Sequence, residues 1–171
     1  IEVVIWAVWP HVWCEPADQA WHAGNVAIRC TAFDISAGLV DPADASFTLS
    51  TSVPFGAVNA NASTGKRLIC NAAGNCRTAG PISGIRVDRT PPEIRATLDP
   101  PAGPYAMGAM VQVTFTCVDT ASGIEACPSV AILDTTSPGS YTASFEAGDE
   151  AGNLASVVLH YAVRSVGIAR M

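Results

Sequence analysis

The groups this sequence gathers for chemistry are oxygen ligands, thiols and aromatic rings. Asp119, Asp149 and Asn153 fall at positions that read as turns between strands, and Asp88 lies just before a Pro-Pro pair. Carboxylate and amide oxygens at strand-end turns can give Ca²⁺ its roughly six to eight oxygen ligands. Asp88 would add one and stiffen the joint. The spacing is unlike an EF-hand loop or a glycine-rich calcium repeat. The same residues have a plainer use, because Asp and Asn bond their own backbone in turns while Gly supplies positive φ. Calcium is therefore the one candidate cofactor, with ordinary turn chemistry as the competing reading.

Six cysteines, Cys14, Cys30, Cys70, Cys76, Cys117 and Cys127, suit an oxidised, secreted protein. Their spacing suggests three local pairs, 14–30, 70–76 and 117–127. None forms the close knuckle of a thiolate zinc site, and no His stands at metal-ligand spacing from them. His11, His22 and His160 are scattered, and the Gly-x-Ser-x-Gly nucleophile motif is absent. His160 alternates with Val158 and Ala162 and reads as a structural side chain. Glu146, Asp149 and Glu150 are carboxylates close in sequence, but glycoside hydrolysis also needs a cleft between them, which small sandwich modules rarely offer. No enzyme activity is expected. Trp6, Trp9, Trp13 and Trp21 cluster at the amino end. Exposed, they would form a stacking platform for carbohydrate or protein. Buried, they would be core or subunit contact, and that is the expectation.

Composition narrows the partners. The 171 residues carry a formal charge of −6 with a single lysine, Lys66. That balance argues against nucleic acid and anionic membrane surfaces, which need basic patches. The apolar start is too short to span a bilayer, which takes about 20 residues. The chain lacks an initiator Met, and it reads as a mature product or an excised piece of something longer. With 49% hydrophobic residues there is ample material for packed cores.

The elements that would position these groups are strands. Residues 1–13 are apolar on both alternating sets, so a strand there would be buried or would pair with another molecule. Residues 14–24 read as a loop, followed by strands at about 25–33 and 46–52, a polar strand or loop at 57–64, and strands at 67–70, from Cys76 onward and at 82–87. An alternating run at 94–98 opens the second unit, and after a loop at 99–104 further strands fall at 109–118, 130–133, 140–147 and 157–163. No stretch shows a convincing helical period, so essentially no helix is expected. Pro91 and Pro92 cannot sit inside a central strand. They mark a stiff seam between two domains, 1–89 and 90–171. The units repeat each other: Asp34-Ile-Ser-Ala-Gly-Leu39 parallels Asp119-Thr-Ala-Ser-Gly-Ile124, and Asn71-Ala-Ala-Gly-Asn75 parallels Asp149-Glu-Ala-Gly-Asn153. Gly38 and Gly123 lie 85 positions apart and Gly74 and Gly152 lie 78 apart, two landmarks in the same order at a similar offset. Short strands with frequent turns point to β-sandwiches.

At this point the chain resembles the bacterial immunoglobulin-like repeats of large secreted or surface-anchored proteins. The likeness rests on Trp21 to Asp34, Ala43 to Val53, Asn61 to Thr64, Cys70-Asn-Ala-Ala-Gly-Asn-Cys76, Thr78 to Ile82 and Val87-Asp88. The second unit adds Thr116-Cys-Val-Asp119, Ser122-Gly123, Cys127 and Asp149-x-Ala-Gly-Asn153, so residues 14–163 are covered. The resemblance implies an all-β fold of two tandem Ig-like antiparallel β-sandwiches, forming stalks or adhesive arms without catalysis. Where the family carries an acidic residue at the first Ala-Gly-Asn turn, this chain has Asn71. The resemblance also supports the three local disulfides. The resulting expectation is a non-enzymatic, extracellular or cell-surface structural module of an adhesin, filament or sheath. Its partners would be other modules, copies of itself or a surface ligand. Two alternatives stand beside it: a filament subunit that exchanges its amino-terminal strand with a neighbour, and a glycan- or protein-binding module.

Overall fold

The computed structural model describes residues 8–101 and 103–165. The chain divides into two compact units, Ile1–Arg89 and Thr90–Met171.

The first unit contains β1 (His11–Cys14), β2 (Trp21–His22), β3 (Ala27–Phe33), β4 (Ser46–Ser50), β5 (Val58–Ala62), β6 (Arg67–Cys70), β7 (Cys76–Ala79) and β8 (Ile85–Asp88). One sheet has the order β1-β3-β4, another β2-β8-β5, and β6-β7 form a hairpin. Strict alternation makes β3 and β4 amphipathic. Ile28, Cys30 and Ala32 point inward with Phe47 and Leu49, while Arg29, Thr31, Phe33 and Thr48 face solvent. Cys30, Ala32, Phe47 and Leu49 pack with Ile69 and Ala79 of the β6-β7 hairpin. Ile28 packs with Val53 and with Ala62, Ile85 and Val87 of the second sheet. β3 thus contributes to both halves of one sandwich core. Ile69 and Val87 are completely buried, which stabilises the unit by about 1.5–3 kcal/mol for each side chain.

The second unit contains β9 (Glu93–Asp99), β10 (Pro104–Ala106), β11 (Gln112–Val118), β12 (Ile124–Ala126), β13 (Ala131–Ile132), β14 (Gly139–Asp149) and β15 (Leu154–Arg164). Its sheets have the orders β13-β11-β9 and β10-β15-β14-β12. The long β14-β15 hairpin holds register from Gly148 opposite Leu154 to Gly139 opposite Val163. Between the sheets lie Tyr105, Val111, Val113 and Leu133, with Leu98, Phe115, Ala143 and Leu159 packed around them.

The all-β expectation holds, with local departures. Residues 14–24 are not all loop: Trp21 and His22 form β2, parallel to Arg86 and Val87 of β8. Pro104, read as the end of a loop, opens β10, which runs parallel to β15. Among the described residues, the only helical turn is a short 3₁₀ segment at Pro42–Ala45. Asp41 caps it by accepting from the Ala43 N–H, and Pro42 begins it. The amino-terminal strand expected over residues 1–13 falls mostly outside the described residues. Its described part pairs only from His11, where β1 lies antiparallel to β3.

Candidate functional site

Each unit joins two turns through the same set of bonds. In the first, the Asp34 Oδ1 accepts from the N–H groups of Ser36 (2.9 Å) and Ala37 (2.8 Å). The Asn71 N–H donates to Asn75 O (2.9 Å), Gly74 N–H to Asn71 O (2.9 Å), and Ala72 N–H to Gly38 O (3.0 Å). The Asn71 Oδ1 accepts from the Asn75 N–H at 2.9 Å. In the second unit, the Asp119 Oδ1 accepts from Ala121 and Gly123, each at 2.9 Å. Asp149 N–H donates to Asn153 O (3.1 Å), Gly152 N–H to Asp149 O (3.1 Å), and Glu150 N–H to Gly123 O (3.0 Å). The Asp149 Oδ1 accepts from the Asn153 N–H at 2.8 Å. Gly74 and Gly152 occupy matching left-handed positions, with φ of 85° and 93°. A side chain there would be strained, so glycine is what lets the chain turn back onto the preceding Asx residue.

The two sets differ most at the Asx side chain that opens the second turn, an amide at Asn71 and a carboxylate at Asp149. The Asn71 Nδ2 donates to Asp34 Oδ2 at 2.9 Å and to Val8 O at 2.8 Å. A neutral amide thus bridges a carboxylate and a carbonyl inside a site where Asn71 is 1% exposed. The first cause of Asp34's lowered pKa is the Ala37 N–H, followed by the Asn71 amide. In the second unit a carboxylate, Asp149, stands where Asn71 stands in the first. One of its carboxylate oxygens and one of Asp119's lie within 4.8 Å of each other. Asp149 is fully buried, and its Oδ2 accepts from Asn153 Nδ2 at 2.8 Å. Two Ca²⁺–oxygen bonds of about 2.3–2.6 Å span that separation, so Asp119 and Asp149 are a matched pair of hard oxygen donors. Asp88 closes β8 of the first unit opposite Val58 and is also buried.

The cysteines form the disulfides Cys14–Cys30, Cys70–Cys76 and Cys117–Cys127. Cys14 and Cys30 are direct cross-strand partners of β1 and β3, with Cα atoms 4.0 Å apart. Cys70 and Cys76 face each other across β6 and β7, at the neck of the Asn71 turn. Cys117, near the end of β11, joins Cys127 just past β12, enclosing the Asp119 turn between them.

Of the four tryptophans, expected in a core or a subunit contact, Trp9 and Trp13 lie outside the core of the single chain. Trp9 is 52% exposed and Trp13 59%. Trp21 is half-buried under the Arg86 guanidinium, 5.9 Å from the ring centroid. Trp6 lies outside the described residues. The β1 register turns His11 and Trp13 to solvent, because Val12 and Cys14 take the inward positions. His11 stacks on Phe33 at 5.0 Å, an aromatic neighbour that the sequence reading did not select. His22 pairs with Asp18 at 2.8 Å. His160 is exposed on β15, its Nδ1 3.3 Å from the Thr142 hydroxyl. Also unread from sequence was Arg67, whose Nε donates to the buried Asp44 at 2.6 Å while its guanidinium covers Phe47.

No family model matches the sequence, and no curated protein matches it. Among solved structures, the chain is similar to the fibronectin(III)-like modules of Clostridium thermocellum CbhA. Identity is 12% and the TM-score 0.40, over 91% of this chain and 95% of that one. The fold described above rests on strand pairing and core contacts, independently of that likeness.

Proposed function

We propose that this chain is a non-enzymatic, extracellular structural module, a stalk or spacer of a surface adhesin, filament or sheath. The observation that supports the reading is the placement of the disulfides. Every one of the three joins neighbouring elements inside a single unit. Bridges of this kind restrict the unfolded chain and suit an oxidising exterior. Limited proteolysis tests it: the oxidised chain resists trypsin at 37 °C, whereas reduction exposes its Arg and Lys sites within minutes. Equal resistance in both states would remove the basis of the reading. The assembly state separates the spacer from a strand-exchanging subunit. A spacer stays monomeric with or without residues 1–13, and a subunit polymerises only with them.

A second reading concerns calcium, and it rests on the exchange of Asn71 for Asp149 between the two turn sets. In the first unit an amide bonds the carboxylate; in the second, a Ca²⁺ ion held by Asp119 and Asp149 would take the amide's place. Calorimetric titration with CaCl₂ tests this, with heat lost in an Asp149→Asn variant.

A further inference from the structure

The sequence is sparing with aromatics, yet it spends several on one solvent-facing sheet surface. On the outer face of β1-β3-β4, Trp13 of β1 lies in one cross-strand row with Thr31 of β3 and Ser46 of β4. The neighbouring row holds His11 and Phe33, stacked with their planes 13° apart. Exposed Trp9 and buried Pro10 continue the alternation beyond β1. Trp9, Trp13 and Phe33 are 52%, 59% and 56% exposed. From this arrangement we infer that the outer face of β1-β3-β4 is a binding platform for an uncharged polysaccharide chain.

The chemistry of the face selects that occupant. Indole and phenyl rings offer flat apolar surface, which matches the C–H faces of pyranose rings. Beside them Thr31, Ser46 and Thr48 offer hydroxyls that both donate and accept, as sugar hydroxyls require. Charge is balanced: Glu15 and Arg29 are both exposed, on neighbouring stretches of backbone joined by the Glu15 N–H to Arg29 O bond at 2.9 Å. In a chain of net charge −6, a face with one charge of each sign suits a neutral ligand rather than a basic or acidic one. Size argues against a folded protein. Three strands about 4.8 Å apart and five residues long at about 3.4 Å each make a surface of roughly 14 by 17 Å, about 240 Å². A stable protein interface needs about 800 Å² from each partner. Trp9 and Trp13, four residues apart, are separated by about 13–14 Å if the chain between them is extended, which suits a linear ligand lying along β1. Finally, the Cys14–Cys30 bridge fastens β1 to β3 directly beside Trp13. The platform is rigid before binding, which lowers the ordering cost of association.

The full chain, with its four tryptophans, is tested with cellohexaose, xylohexaose and chitohexaose. The readouts are the tryptophan indole N–H resonances by NMR and retention on the insoluble parent polymers. At least one hexasaccharide is expected to shift two of the four indole signals, those lost in Trp9→Ala and Trp13→Ala. Each of those variants is expected to bind at least tenfold more weakly, with the melting temperature unchanged. The inference is overturned by no indole shift or retention with any of the three, by a shift confined to Trp21, or by undiminished binding of the Trp9→Ala/Trp13→Ala variant. A chain that sediments as a dimer, and as a monomer once Trp13 is replaced, would assign the face to a second copy and also overturn it. The wild-type resonances answer the question even if a variant fails to fold.

Discussion

Replacing Asn71 with Ala removes three hydrogen bonds from a side chain that is 1% exposed. The Asn75 N–H loses its acceptor at 2.9 Å, and the Val8 carbonyl loses its donor at 2.8 Å. At about 1 kcal/mol for each buried neutral bond, these two alone give about 2 kcal/mol. The bond to Asp34 at 2.9 Å adds to the loss. A unit of this size shifts its melting temperature by about 4–8 °C per kcal/mol. The first unit should therefore melt roughly 8–16 °C lower, with the second unit's transition unmoved. Scanning calorimetry of the oxidised chain resolves the two transitions. The substitution also has a pH signature. Asp34 has a lowered pKa, first through the Ala37 N–H and then through Asn71. A lowered folded-state pKa gives stability that is full above the unfolded value, here 3.8, and is lost as pH falls through the folded one. Without the Asn71 amide the folded value moves back toward 3.8, so the part of the first unit's stability that Asp34 ties to pH should shrink, and its loss on acidification should be complete at a pH nearer 3.8. A melting shift under 2 °C, or an equal shift in both transitions, would refute the claim that Asn71 holds this turn set together.

Other perturbations follow from the same geometry. Gly80 sits at φ 69°, where an added Cβ would lie 2.7 Å from both Gly65 O and Leu49 Cδ1; Gly80→Ala should cost about 1–3 kcal/mol in chemical denaturation. Arg67→Ala strips the partner at 2.6 Å from the buried Asp44 and should cost about 1.5–3 kcal/mol, with Arg67→Lys losing less. Replacing Cys70 and Cys76 together with Ser opens a bridge of sequence separation 6; the loss should be about 2–3 kcal/mol on the chain-entropy account, read as a lower urea midpoint. If Asp119 and Asp149 bind calcium, CaCl₂ at a hundred times its dissociation constant should stabilise the second unit by about 2.7 kcal/mol, and Asp149→Asn should erase the gain; a melting curve indifferent to calcium counts against that reading.

What could be read from the sequence was whatever has a local signature. Alternation located β3, β4, β11 and the β14-β15 hairpin because one face of each strand is apolar and the other polar. The Asx-x-Ala-Gly-Asn turns were readable because Gly74 and Gly152 must adopt left-handed backbone. Close cysteine spacings suggested the three bridges. The misreadings have physical causes too. Residues 1–13 are apolar on both alternating sets, so the period could not say which set faces inward; Pro10 and Val12 took the core side, and Trp9 and Trp13 were left outside. β2 and β10 are two and three residues long and form by parallel pairing with distant strands, which leaves no local pattern. Asn71 reaches Val8 across 63 positions, and only the folded chain brings that carbonyl to the amide.

The disulfides also set how far this chain can be drawn out. Pulled from its ends, a chain yields about 3.6 Å of length for each residue released. The stretches enclosed by the bridges, with separations of 16, 6 and 10, stay folded into their loops however hard the ends are pulled. Roughly 115 Å of contour, by the same per-residue reach, is thus withheld until a thiol opens the bridges. The oxidised chain is in effect a tether of fixed maximum reach, and a reductant would act on it as a length control.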